Sequence, residues 1–249
     1  AGDYHGWTLG ATQLSGRVPG AGWLSSPDQR IHHLPFPGPP DHDGLEDPVA
    51  FFDESIARLA GQGVTGDSVA AVFLETFQGW GGLAFPTSYI QRLREWADAH
   101  DVLLVFDEIQ VGCGRLGSLW AHQQYGVEPD IMTLAKALGG GLPIGVALLR
   151  QKVADAIQAG DHAATFGANP VVCAAAVVVF GKLIEDGFID TVREKGEYLI
   201  GRLEKLQERW PEHISGVRGR GLIAGVVTQR PAADYLAAFR ERDILVATA

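Results

Sequence analysis

The sequence predicts an α/β chain whose tail changes to α+β, and three observations carry that reading. Short apolar runs of strand length alternate with amphipathic stretches of helix length between residues 69 and 209. With 249 residues and 46% hydrophobic content, the chain can bury a sizeable core, and one large domain is the natural starting point. Beyond residue 213 the pattern becomes two strand-like runs about a tight turn, followed by a helix. The boundary is placed inside the long helix before that tail, giving residues 1–198 and 199–249.

Residues 11–47 are rich in Gly, Pro, Ser and Asp and read as an irregular surface loop. The run Val69 to Glu75 reads as a buried strand, and Pro86 to His100 as an amphipathic helix opened by its proline. Val102 to Phe106 is the next strand, followed by a short one over Ile131 to Leu134 and another over Ile144 to Leu149. Asn169 and Pro170 open a helix that runs to Asp186, and a longer helix with a charged outer face covers Phe188 to Arg209. Ile214 to Val227 gives the two strands of the tail, Ala232 to Arg242 its helix, and a further strand starts at Ile244. No internal repeat is present.

A net charge of −10 without a basic run argues against nucleic acid and anionic membranes as partners. Cys113 and Cys173 show neither metal spacing nor a disulfide framework, and no metal site is expected. With no signal peptide and no apolar stretch long enough to span a bilayer, the chain reads as a cytoplasmic protein.

Two residues carry the chemistry. Lys136 follows the apolar run from Ile131 and precedes Gly139, Gly140 and Gly141. Asp107 closes the strand pattern that begins at Val102, 29 positions upstream of Lys136. Most lysines are solvated surface groups, and a lone acid at a strand end is commonly a turn cap. A lysine after one strand and an acid closing another, however, suit a cofactor with an aldehyde at one end and a basic ring nitrogen at the other. Pyridoxal 5′-phosphate is such a cofactor.

The runs DEIQVGCGRLG from Asp107 to Gly117 and DIMTLAKALGGGLPIG from Asp130 to Gly145 closely resemble the signature of class III aminotransferases. The likeness extends from Tyr4-His5-Gly6 to the RGRGL run at Arg218 to Leu222. It implies a pyridoxal-phosphate transferase of fold type I: a large domain with a mostly parallel sheet and helices on both faces, plus part of a small α+β domain. By that resemblance Lys136 forms the Schiff base and then acts as a base beside the substrate Cα. Asp107 holds the pyridine nitrogen protonated, since an opposite charge in contact favours both charged forms. Gln110 hydrogen-bonds the ring 3′-oxygen, while the neighbouring Glu108 is structural.

In the same way Tyr4 stacks on the cofactor within the aromatic-His-Gly element, with His5 and Gly6 beside it. Taken alone, a segment so near the first residue would be frayed. Thr165, ahead of the helix at Asn169, matches the threonine that reaches the phosphate in the other subunit, which implies a homodimer with shared active sites. Glu75, in the run LETFQGWGG from Leu74 to Gly82, matches a glutamate on the substrate side. Two departures occur there: Thr76 stands where proline is usual, and Trp80 where many relatives carry a second glutamate. Trp80 reads either as part of an apolar substrate pocket or as a core tryptophan. Arg218 and Arg220 are flanks of a turn.

The resulting expectation is amino transfer from an amino acid or ω-amine donor to a keto acid. Decarboxylation, racemisation or an amino shift on the same scaffold remain open, as does a catalytically incomplete chain with a binding role. The chain looks truncated at both ends, because the phosphate-cradling helix start and the end of the small domain have no counterpart in it.

Overall fold

A computed structural model describes residues 2–16, 27–38 and 46–248. The first helix, α1 (Leu9–Leu14), lies partly inside the stretch expected to be irregular. It forms there with the Ser15 hydroxyl donating to Ala11 O at 2.8 Å, while Ser15 Oγ accepts the His5 N–H at 2.8 Å. Residues 27–38 are irregular as expected, while 17–26 and 39–45 lie outside the described residues.

Helix α2 (Pro48–Ala60) follows at once, with the Asp47 carboxylate accepting from the N–H groups of Val49 and Ala50 and Pro48 in the first turn. Strand β1 (Ala71–Glu75) leads into a small antiparallel hairpin of β2 (Phe77–Gln78) and β3 (Leu83–Ala84). Helix α3 (Thr87–Ala99), strand β4 (Leu103–Asp107), strand β5 (Ile131–Leu134) and strand β6 (Val146–Leu149) match the sequence expectation to within two residues.

The main sheet has the order β1-β4-β5-β6. β1, β4 and β5 are parallel, and β6 runs antiparallel to β5, so the sheet is mostly parallel. Helices α2 and α3 pack over it through Phe52, Tyr89, Ile90, Leu93 and Trp96, which join Leu74, Leu104 and Phe106 in one buried cluster. Phe52 makes edge-on contacts with Tyr89 and Trp96 at 5.3 and 6.2 Å between ring centroids.

The start of β5 is fixed by a buried charge. Asp130 accepts the Leu104 N–H at 2.9 Å and pairs with Arg94 at 2.8 Å and Lys152 at 2.9 Å. Burial pushes its carboxyl up, but the Leu104 N–H, Arg94 and Lys152 outweigh that and hold it at about 2. A folded value below the ordinary 3.8 contributes stability that is present above pH 4 and is lost as pH falls through 2. Asp130→Asn leaves Arg94 and Lys152 facing a neutral amide, and urea denaturation at pH 7 should register a loss of about 3 kcal/mol.

After β6 come a short helix α4 (Gln151–Ala154), then α5 (Pro170–Leu183), opened by the Asn169 side chain as the sequence predicted. Helix α6 (Phe188–Arg209) runs unbroken through residue 199 and packs on the hairpin of β7 (Ile214–Arg220) and β8 (Ile223–Thr228). The last helix, α7 (Ala233–Arg240), is shorter than expected. Residues 244–248 form no strand, and Ile244 and Leu245 are exposed with no strand partner to pair with.

Candidate active site

The three parallel strands end at one edge of the sheet, where open α/β sheets bind their ligands. Glu75 closes β1 and Asp107 closes β4, and the two are register partners. Asp107 in turn pairs with Thr133 of β5, one residue before the strand ends and three before Lys136. The parallel pairing therefore brings Glu75, Asp107 and Lys136 to adjacent strand ends, although they span 61 positions of sequence.

Lys136 stands at the turn where β5 gives way to a single 3-10 turn over Lys136–Gly139. Its φ is +40°, in the left-handed region that a non-glycine residue occupies only under constraint, typically at about 1–3 kcal/mol. The side chain is exposed, and Nζ donates to Gln110 Oε1 at 2.8 Å. The turn is anchored by Leu138, which is buried, and is ended by Gly140 at φ +58°. A Cβ at Gly140 would lie 3.0 Å from Val179 Cγ2, so the glycine lets the Lys136 turn rest on α5.

Asp107 is 8% exposed. One carboxylate oxygen accepts the Ile109 N–H at 3.0 Å and the other accepts from His5 Nδ1 at 2.9 Å. Burial lowers the His5 imidazole, but the Asp107 hydrogen bond and the charges of Asp3, Asp107 and Glu75 raise it overall. His5 Nε2 is buried without a hydrogen-bond partner among the described residues.

The segment around Tyr4 is fastened rather than frayed. Asp3 accepts from Gln78 Nε2 at 2.8 Å, the Tyr4 N–H donates to Glu75 Oε2 at 3.0 Å, and His5 is held at both backbone and ring. Tyr4 itself is half-buried, its ring edge-on to Trp7 at 6.1 Å, and Gly6 takes a φ of +125° beyond it. Glu108 turns away from this group and caps the N–H groups of Ala121 and His122 at 2.7 Å each, the structural part expected for it. Trp80 lies at the tip of the β2–β3 hairpin, 36% exposed, and is not a core residue. Thr165 is exposed in the turn before α5, and no hydrogen bond joins it to Lys136, Gln110 or Asp107.

Sequence reasoning named His5 without its partner, and it missed Asp3, Ser15 and Gln78. Their contacts span 10 to 102 positions of sequence, and no local pattern marks them.

Burial pushes the Glu75 carboxyl up to about 7; the Tyr4 N–H works against this and the nearby Asp3 and Asp107 add to it. A folded value above the ordinary 4.5 means that stability is greatest below pH 4.5 and is lost as pH rises through 7. Glu75→Gln keeps an acceptor for Tyr4 but removes the titration. The fall in unfolding free energy between pH 4.5 and 8 should then shrink by about 3 kcal/mol, as read by urea denaturation across that range.

The donor set can be compared with what pyridoxal phosphate requires. Lys136 offers an accessible amine, and Gln110 an amide within reach of it. The Asp107 carboxylate has four lone-pair positions, and the two protein hydrogen bonds leave room for a ring N–H. Those residues fit the group.

A family model described as "Aminotransferase class-III" matches residues 1–249. The chain belongs to the class-III aminotransferase family. Among relatives in this family, the acetylornithine aminotransferase of Synechocystis sp. is 40% identical over 225 residues, covering 90% of this chain and 49% of that protein. That of Methanocaldococcus jannaschii is 44% identical over 184 residues, covering 72% and 45%. The chain thus spans about half the length of the curated relatives it matches. Among solved structures, an amine transaminase from an uncultivated Pseudomonas species, in its PLP-bound form, superposes with a TM-score of 0.86 at 30% identity, covering 99% of this chain and 61% of that one. The fold-type-I architecture expected from the sequence is the architecture observed.

Proposed function

We propose that this chain carries the cofactor-holding part of a pyridoxal-phosphate-dependent aminotransferase, moving an amino group from an amino acid or ω-amine to a keto acid. The observation that carries this reading is the placement of Asp107 and Lys136 at neighbouring parallel strand ends, with Gln110 bonded to the Lys136 amine. The bound cofactor supplies an electron sink for the charge left when a substrate bond to Cα breaks.

The rest of the work falls to the protein's own side chains. Lys136 would hold the cofactor through its amine and, when free, would take and return the proton at the substrate Cα. Asp107 keeps the ring nitrogen protonated, and His5 holds the Asp107 carboxylate in place at 2.9 Å. Gln110 would donate to the ring oxygen and Tyr4 would stack on the ring, with Gly6 letting the chain turn beside it at φ +125°. Glu75 and Trp80 border the substrate. Relatives are named for acetylornithine, whose free amine lies at the end of its side chain, and this supports an ω-amine as donor.

Residues 1–198 form the cofactor domain in this reading, and residues 199–249 begin the small one. The protein works as a homodimer, with Thr165 directed at the phosphate of the neighbouring subunit's site. Supporting this, Phe166, Val171, Val177 and Val178 are 69–82% exposed on and beside α5, an apolar face that calls for a covering surface. The test is acceptor dependence. With the intact protein loaded with cofactor, an amine donor alone should be consumed once per site, and a keto acid should restore continuous turnover. Continuous release of carbon dioxide or of the mirror-image amino acid without any keto acid would replace transamination with another reaction.

A further inference from the structure

The β2–β3 hairpin carries a constraint that acts on Lys136 through Gln110. Gly79 is the first residue of the loop after Gln78. A Cβ at this position would lie 2.5 Å from Gln110 Nε2, 2.6 Å from Cδ and 2.9 Å from Oε1. Separations under 3.0 Å are not tolerated between such atoms, so one side has to move. The three nearest atoms all belong to the carboxamide whose Oε1 accepts from Lys136 Nζ at 2.8 Å. That bond is the only side-chain hydrogen bond of Lys136 among the described residues.

We propose that Gly79 is a positioning residue for Lys136: its missing side chain makes the place from which the Gln110 carboxamide holds the lysine amine. This rests on the assignment of Gln110 and Lys136 to the cofactor site. Backbone freedom is not the reason for glycine here, because Gly79, unlike Gly81 and Gly82, does not take a positive φ. The hairpin cannot easily give way either. Phe77 and Gln78, just before it, are buried, and Gln78 is tied to the buried Asp3 at 2.8 Å. Gln110 is exposed and flexible. A methyl group at residue 79 therefore displaces the carboxamide toward solvent and leaves the fold intact, which separates positioning from stability.

The test is a double-mutant cycle on the intact protein before cofactor is added. The readout is the rate at which a pulse of acetic anhydride labels Lys136, measured by mass spectrometry, with Lys182 and Lys195 as internal references. Gln110→Ala should speed Lys136 labelling about two- to tenfold, the range given by loss of one hydrogen bond. Gly79→Ala should speed it by a similar factor, and the double variant no further than either single one. A Gly79→Ala protein that labels at the wild-type rate, while Gln110→Ala is faster, would overturn the proposal. So would additive effects in the double variant. No change in Gln110→Ala would instead remove the Gln110–Lys136 contact on which the proposal rests. Should Gly79→Ala fail to fold, Gly79→Ala/Gln110→Ala must restore folding, because the obstructing carboxamide is gone; a double variant that also fails overturns the proposal.

Discussion

Lys136→Ala should abolish turnover, lowering kcat by at least about 10⁴-fold, and should leave the protein folded. The loss is large because the proposed function gives one amine two tasks, holding the cofactor and proton transfer at the substrate carbon, and proton transfer alone typically contributes 10²–10⁴-fold. Among the described residues no other lysine lies at these strand ends to replace it. The fold should survive because the side chain is exposed and its one side-chain hydrogen bond among the described residues goes to an exposed glutamine. Alanine leaves the strain at the turn as it is, since φ +40° is unfavourable for any residue with a Cβ. Steady-state kinetics of the intact protein, with circular dichroism as the control for folding, checks both halves of this expectation.

Asp107→Asn should behave differently, retaining cofactor while losing about 10²- to 10³-fold in kcat. The amide oxygen can still accept the Ile109 N–H now held at 3.0 Å, so the strand end keeps its shape. What disappears is the negative charge that the proposed function sets beside the ring nitrogen, together with the carboxylate partner of His5 at 2.9 Å. Without that charge the nitrogen loses its proton more readily, and the ring becomes a poorer acceptor of electrons. The charged interaction lost is of the order of 3–4 kcal/mol, which corresponds to that range of rates. Cofactor content by absorbance and kcat measured on the same preparation would separate this outcome from a simple failure to bind.

Much of the site was legible because its signals are local. Lys136 sits between an apolar strand and three glycines, and Asp107 ends an uninterrupted apolar run; both patterns lie within about a dozen residues and follow from strand burial. Helix α5 was legible despite being apolar nearly all round, because Asn169 and Pro170 mark its start. Helix α2 shows the opposite case. Asp47 and Pro48 mark its start equally well, but it adjoins a Gly- and Pro-rich stretch that dominates any reading of the composition. The direction of β6 has no local signature, since strand polarity in a sheet depends on how the chain returns after Gly141. The His5–Asp107 pair bridges 102 positions and was invisible for the same reason. Nothing local marks Tyr4 as ordered; its backbone bond to Glu75 spans 71 positions.

The most direct measurement is the site of covalent cofactor attachment. The intact protein, loaded with pyridoxal phosphate, is reduced with borohydride, digested, and its peptides are weighed. The account predicts a phosphopyridoxyl group on the peptide that contains Lys136 and on no other. Attachment at another lysine, or none anywhere in a protein that still transaminates, would contradict it.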